Sequence, residues 1–227
     1  MDEKTIRPVA YIRSDFRDKF GVPRQSGRAS HIKSRVVFLK EYAKPESVRG
    51  LDGISHIWLI FGFNAVKYTG ALTVRPPRLG GNKRVGVFAT RSPNRPNGLG
   101  LSCVKLDGVE ITANGVELLI SGADLIDGTP VYDVKPYNPA DAIDGATCGF
   151  ADDFREHALE VEFPEELASV LPESKLAAVK ECLKDDPRPS YADDDRVYGM
   201  IYGGYNVKFK VSGDVLTVTA VEKTEKD

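Results

Sequence analysis

SCVKLDGVEITANGVELLISGADLIDGTPVYDVK, from Ser102 to Lys135, decides the fold class. Its apolar and β-branched runs, Ser102–Leu106, Val109–Thr112, Val116–Ile120 and Val131–Lys135, are punctuated by Gly, Asn, Asp and Pro. Short runs separated by turn residues predict strands with tight connections rather than helices. Working outward, the same texture predicts strands over Val9–Ile12, Arg35–Leu39, His56–Phe63, Ala71–Val74 and Val85–Ala89. Their spacing is close to the rhythm of an all-β sandwich or barrel. A short helical turn is expected at Pro45–Leu51. Residues 1–145 therefore read as one mainly β domain, with Trp58, Ile60 and Phe61 in its core and Val85, Val87 and Phe88 in a buried strand.

Beyond residue 145 the texture changes. HALEVEF, residues 157–163, reads as a strand. PEELASVLPESKLAAVKECLKDD places Leu176, Val179 and Leu183 at helical spacing and predicts two helices split near Pro172. YNVKFKVSGDVLTVTAVE alternates about an SGD turn and predicts a hairpin. Residues 146–227 are thus expected to form a small α+β domain.

Composition narrows the function. The 227 residues are 41% apolar and 28% charged, ordinary for a globular protein. The longest apolar run, Ile57–Phe63, falls far short of the ~20 residues that span a bilayer, so no membrane role is expected. The opening MDEKTIRPVAYIRSDF is charged and lacks the apolar core of a secretory signal. Cys103, Cys148 and Cys182 are odd in number and form no CxxC pair, so neither a metal site nor a disulfide framework is expected. A reducing cytoplasm fits this usage. Net charge is −2, but residues 1–100 hold 19 Lys+Arg against 7 Asp+Glu, while residues 101–227 hold 12 against 26. Either one half faces a polyanion, or the two sets of charges mix on folding. A strand-linked GxGxxG, a GxxxxGK[ST] phosphate loop, GxSxG and HExxH are all absent. His31, His56 and His157 are scattered.

Four segments carry more chemistry than a connection needs. In FGVPRQSG, Arg24 offers a planar donor fork and Gln25 both a donor and an acceptor, suited to a nucleobase edge. IWLIFGFN ends at Asn64, where a polar side chain can project from a strand end. GVFATRSPNRPNGLGLS, Gly86–Ser102, combines stiff Pro93 and Pro96, permissive Gly98 and Gly100, and the cationic Arg91 and Arg95. Those properties together describe a preorganised binding loop. ADLIDGTPVYDVKPY follows an Asp-Gly turn with a strand carrying Tyr132, Asp133, Lys135 and Tyr137.

In this order, PRQ, IWLIF, GVFATRSPNRPNGLGLS and DGTPVYDVKPY closely resemble the TsaA-like family of β-barrel methyltransferases, over about residues 5–145. LKDDPRPSY, Leu183–Tyr191, and the terminal hairpin resemble the C-terminal domain of the family's TrmO-type members. The resemblance implies a TsaA-like β-barrel followed by a small α+β domain. It also implies a homodimer with the cofactor near the subunit interface, and S-adenosylmethionine as methyl donor. The implied acceptor is N6 of N6-threonylcarbamoyladenosine, at position 37 beside the tRNA anticodon. Carried onto this chain, the cofactor site comprises Pro23, Arg24, Gln25, Asn64, Ala65, Arg91, Leu101, Asp127, Gly128, Thr129 and Pro130. Asn64, placed by the resemblance with the catalytic residues as well, stands where the family usually has His: either the imidazole serves catalysis and its loss bears on activity, or it is a hydrogen-bonding wall that Asn can replace. Asn94 stands where an aromatic is common.

A sulfonium leaving group needs no metal; the difficulty lies at the delocalised target nitrogen, where a general base helps. Asp127 and Asp133 are candidate bases, with Tyr132 or Tyr137 as an orienting hydroxyl. Asp133 is preferred, the alternative being a carboxylate paired with Lys135 or Arg91. Anticodon-loop bases are single-stranded and read by stacking and edge contacts. For phosphates, Arg78, Lys83 and Arg84 in TVRPPRLGGNKR are expected to serve, together with Arg95. Asp186, Arg188 and Tyr191 of DPRPSY either shape the substrate pocket or pack the domains. Two other readings remain: the same barrel methylating another RNA base or a small molecule, or a non-catalytic cofactor- or RNA-binding protein.

Overall fold

The computed structural model describes residues 3–76, 79, 83–150, 158–188 and 196–224. Six strands close an antiparallel barrel: β1 (Ala10–Ser14), β2 (Lys33–Phe38), β3 (His56–Gly62), β6 (Leu99–Thr112), β7 (Gly115–Ser121) and β8 (Pro130–Pro136). They run in the order β1-β2-β7-β6-β3-β8, and β8 returns to β1 through Ala10↔Val131 and Tyr11↔Pro130. Between β3 and β6 lies a separate two-stranded ribbon, β4 (Thr73–Val74) with β5 (Val85–Gly86).

The barrel core follows the two-residue period of a strand. Ile57, Leu59 and Phe61 of β3 point inward beside Val104 of β6, Leu118 and Ile120 of β7, and Val131 of β8. Burying each such side chain is worth ~1.5–3 kcal/mol relative to exposure. Trp58 and Ile60, expected in the core, face outward because they fall on the other phase of the strand. Trp58 Nε1–H instead donates to Asp141, at 2.7 Å.

Two expected strands, Ser102–Leu106 and Val109–Thr112, are one long strand. β6 pairs with β3 through its first half and with β7 through its second, the register shifting between Leu106 and Gly108. Such a bulge bends one strand far enough to serve two neighbours in a small barrel. The expected buried strand Val85–Ala89 reduces to β5 and a single 3-10 turn, Val87–Ala89. Only Val87 there is buried, and Phe88 is 81% exposed. The helical turn expected at Pro45–Leu51 is two 3-10 turns, Pro45–Val48 and Leu51–Gly53.

A second sheet runs β10 (Tyr198–Tyr202), β11 (Tyr205–Ser212), β12 (Val215–Lys223), β9 (Glu160–Glu162), with β9 parallel to β12. Helices α1 (Glu165–Ala168) and α2 (Glu173–Lys184) lie between β9 and β10 in the chain, split at Pro172 as expected. The apolar stripe of α2, Ala178, Val179, Cys182 and Leu183, packs into a core with Met200, Val207, Phe209, Leu216 and Val218. β10 was not foreseen; Tyr202 and Met200 bury their side chains in that core.

This second core also takes in Phe16, Ala29 and Ile32 from the β1–β2 connection, with Phe20 and Val22 packed against it. The connection is therefore a shared element, sequential with the barrel but buried against the C-terminal sheet. The charge asymmetry is consumed in the same way. Arg13 pairs with Asp127, Arg28 with Asp185, Lys33 with Asp107, and Arg35 with Glu110 and Glu117. Much of the basic half thus mixes with the acidic half on folding. Among the described residues, no helix is long and apolar enough to cross a membrane.

Candidate functional site

The candidate residues gather where β3 and β6 meet, where β8 begins, and where two loops cross the barrel end. After β7 the chain does not leave the barrel. Ala123 and Leu125 plug its end, and the segment then straps onto β1. The Asp127 N–H donates to Phe16 C=O at 2.8 Å, Gly128 N–H to Ile12 C=O at 2.9 Å, and Ile12 N–H to Thr129 C=O at 3.0 Å. The Asp127 carboxylate accepts the Ser14 N–H (3.1 Å) and Arg13 Nη1–H (3.3 Å). Thr129 is buried, and its hydroxyl donates to Ile126 C=O at 2.8 Å. Gly128 has φ +75°, and a Cβ there would meet nothing within 4 Å, so its backbone faces open space.

Two contacts join motifs that are far apart in sequence. Arg91 Nη1–H donates to Gln25 Oε1 at 2.8 Å, and Asn64 Nδ2–H to Gly128 C=O at 3.4 Å. The Gln25 amide in turn donates to Arg24 C=O at 2.7 Å. Exposed Ala65 follows Asn64, buried Pro23 precedes Arg24, and Pro130 pairs with Tyr11 at the start of β8. Leu101, 48% exposed, stands on the outer face of β6 in register with Ile60 of β3, itself in register with Asp133 of β8.

The loop before β6 is braced from within. Arg95 donates Nε–H to Ser92 C=O at 3.0 Å and Nη2–H to Val87 C=O at 3.0 Å and to Thr90 C=O. Asn94 stitches the loop to Thr69, accepting its N–H at 3.0 Å and donating Nδ2–H to its hydroxyl at 3.0 Å. A Phe could make neither bond. Gly98 has φ +57°, while Gly100 admits the Phe61 ring so closely that a Cβ would lie 2.3 Å from Phe61 Cζ.

Other expected residues are otherwise engaged. Asp133 Oδ2 pairs with Lys135 Nζ at 3.0 Å, both half-exposed or more, and Oδ1 accepts the Val134 N–H. The Tyr132 ring lies against Gly62. Arg24 Nη2–H donates to the C=O of Asp186 (3.1 Å) and Arg188 (2.8 Å). Asp186 and Arg188 are mostly buried and paired with each other. Burial pushes the Asp186 carboxyl up, but the Arg188 fork prevails and holds it below the usual range. Lys83 and Arg84 are exposed, and Arg84 donates to Thr73 Oγ1 at 2.9 Å. Arg78 and Tyr191 lie outside the described residues.

One buried carboxyl beside these residues escaped the sequence reading. Asp124 lies between buried Ala123 and Leu125 and accepts the Ser102 hydroxyl at 2.6 Å, Ser102 being only 2% exposed. Burial raises its carboxyl above the ordinary range, against the Ser102 bond, the Arg91 charge and the Ser26 N–H. The available signal was a lone carboxylate inside an apolar run, ISGADLI. A cleft of about 550 Å³ on the barrel flank shares only Asp127 with these residues, and its cations Arg13, Lys33 and Arg35 are already ion-paired. Among the described residues no group of three or more His, Cys, Asp or Glu is placed to hold a metal.

Residues 11–142 match the family described as the tRNA-methyltransferase O N-terminal domain, and residues 156–224 the TrmO C-terminal domain. A Pseudomonas aeruginosa protein named provisionally as an S-adenosylmethionine-dependent methyltransferase is 42% identical over 86% of this chain and 87% of its own. An Escherichia coli protein named tRNA (adenine(37)-N6)-methyltransferase is 37% identical over 98% of this chain and 99% of its own. The crystal structure of TrmO from Pseudomonas aeruginosa superposes with a TM-score of 0.80 at 34% identity, covering 98% of both chains. Fold and site thus define an S-adenosylmethionine-dependent methyltransferase of the single-barrel kind. The chain belongs to the TrmO family.

The donor set fits that cofactor. Gln25 and Arg91 supply an amide and a guanidinium, Asn64 a second amide, Asp127 a carboxylate and Leu101 an apolar surface. The open backbone at Gly128 leaves room for a ligand to lie against the strap.

Proposed function

We propose that this protein methylates N6 of adenine 37 in tRNA, and that its acceptor is N6-threonylcarbamoyladenosine beside the anticodon. The observation that carries the reading is the meeting of Arg91 with Gln25, which joins two motifs of the cofactor set at one barrel end. When bound, S-adenosylmethionine supplies a methyl on a good leaving group. The protein's part is to hold donor and acceptor in line and to exclude water. Gln25, Arg91, Asn64 and Asp127 bind and orient the donor, and Leu101 covers an apolar face. Pro23, Arg24, Ala65, Thr129 and Pro130 set the backbone of the three connections that carry these groups.

Asp133 takes the acceptor's proton, oriented by Tyr132, an assistance worth ~10²–10⁴-fold. Its pair with Lys135 is solvent-exposed and weak, so an arriving base displaces it readily. Lys83 and Arg84, with Arg78, contact tRNA phosphates. Asn64 replaces an imidazole as a hydrogen-bonding wall rather than as a base, since its amide holds Gly128 C=O. A second copy of the chain covers the exposed Phe88, Leu72 and Leu101; the N–H of Val87, next in the chain to Phe88, donates to Leu72 C=O. The protein works in the cytoplasm, where tRNA and donor are both present. Incubation with methyl-labelled S-adenosylmethionine and tRNA with or without the threonylcarbamoyl group tests the reading. Label on the modified nucleoside alone supports it. Label on unmodified tRNA, or none despite donor binding, refutes it.

A further inference from the structure

The β1–β2 connection carries Pro23-Arg24-Gln25, yet what holds it comes from the far end of the chain. Arg24 donates its own N–H to Asp185 Oδ2 at 3.2 Å, and Arg28 Nε–H pairs with Asp185 Oδ1. Asp185 is only 8% exposed. It ends α2, and the next residue, Asp186, takes a left-handed φ of +48°. Asp is among the few residues that adopt this conformation without a large penalty. The turn is locked by Arg188, whose N–H (3.2 Å), Nε–H (3.0 Å) and Nη2–H (3.1 Å) all donate to the Asp186 carboxylate. It therefore presents the carbonyls of Asp186 and Arg188 to the Arg24 guanidinium, a cation placed at the negative end of a helix. The residue after Arg24 is Gln25, which receives Arg91.

We propose that Asp185 is a positioning residue for methyl-donor binding. The C-terminal turn Asp185–Arg188 sets the Arg24 main chain, and this places the Gln25 amide against Arg91. The inference rests on the reading of Gln25 and Arg91 as part of the cofactor site. Elsewhere the loop is held by buried Pro23, by the Ser26 N–H on Asp124 and by the Gly27 N–H on Gly122 C=O at 2.9 Å, but the Arg24 N–H itself goes to Asp185, and Gln25 is exposed. Without the clamp the donor must order the loop when it binds, which weakens affinity without touching the chemical step.

The test is calorimetric binding of S-adenosylmethionine to the full chain well below its melting temperature, with steady-state kinetics beside it. Asp185→Ala is expected to weaken binding at least tenfold. KM for the donor should rise in parallel, while KM for tRNA and kcat at saturating donor stay within twofold of wild type. Glu181→Gln, which loosens the same connection at Ser30 and His31, is expected to lower the melting temperature and leave donor binding within twofold. A purely structural role for Asp185 would give the same pattern for both variants, and that result overturns the proposal. So does a loss confined to KM for tRNA, which would make the turn a substrate contact. If Asp185→Ala does not fold, Asp185→Asn keeps an acceptor for the Arg24 N–H, loses the charge facing Arg28, and should show about a threefold loss. Gln25→Ala and Arg91→Ala separate the two levels. If both bind donor like wild type, the cofactor-site reading fails and the clamp with it. If both bind weakly while the Asp185 variants bind tightly, only the clamp fails.

Discussion

Arg95 was expected to reach tRNA, and its place in the structure gives a sharp alternative. Its guanidinium serves three main-chain carbonyls, of Ser92, Val87 and Thr90, and so closes the loop on itself. A hydrogen bond from a charged donor contributes ~1.5–3 kcal/mol, but Arg95 is only half-buried and one nitrogen is shared, so about 1 kcal/mol per contact is appropriate. Arg95→Ala should then cost roughly 2–4 kcal/mol. For a chain of this size, ~2–4 °C per kcal/mol converts that to a melting-temperature loss of roughly 4–16 °C. Arg95→Lys keeps the charge but not the planar fork, and one ammonium nitrogen cannot stand at both the Nε and the Nη2 positions that reach the three carbonyls, so it should recover less than half of the loss. Thermal melts followed by circular dichroism measure this directly. Salt-dependent tRNA binding, measured on the same proteins, supplies the other arm. If Arg95→Ala melts within about 1 °C of wild type while the log K against log salt slope falls by ~0.7–0.9, Arg95 is a phosphate contact and the bracing argument is wrong.

Two further outcomes follow from buried groups near the site. Gly100→Ala should lower the melting temperature by several degrees, because the added methyl displaces the buried Phe61 ring and overpacking costs ~1–3 kcal/mol. Gly108→Ala, which meets nothing within 4 Å, should melt like wild type, and equal effects at the two positions would refute the steric account. Asp124→Asn tests the buried carboxyl. Because its folded pKa is raised, its stabilisation is complete below the ordinary Asp range and is lost as pH rises through the raised value. Relative to wild type, the Asn variant should therefore gain stability as pH rises across that window. A pH-independent difference in melting temperature would count against it.

The strands were legible wherever apolar and polar residues alternate, as in Val207, Phe209 and Val211 of β11. They were ambiguous where the run is apolar on both phases. IWLIF gives no sign that Trp58 and Ile60 face outward while Ile57, Leu59 and Phe61 face inward, since only closure of the barrel decides it. The Asp107-Gly108 pair read as a turn between two strands but is a bend within one. Phe88 looked like core because hydrophobicity says nothing about whether a partner strand is present to cover it. At the site, the types of Arg91, Gln25 and Asn64 were legible, and their contacts were not. Arg24 shows the difference most clearly. A planar fork in a loop is recognisable from sequence, but the carbonyls it serves lie about 160 residues away and are set by topology.

The burial of Phe16, Ala29 and Ile32 among residues of the C-terminal sheet has a consequence for how the chain matures on the ribosome. Their partners include Met200, Phe209 and Leu216, which are synthesised far later. At ~5–20 residues per second, the interval between Ile32 and Leu216 is roughly 10–40 s, long compared with collapse of the barrel strands themselves. The barrel closes only once β8 is made, and for roughly 4–16 s more, the time from Pro136 to Leu216, it carries an apolar flap whose later partners are not yet synthesised. The loop that bears Gln25 is therefore among the last parts of the molecule to reach its final form, although it is among the first to be made.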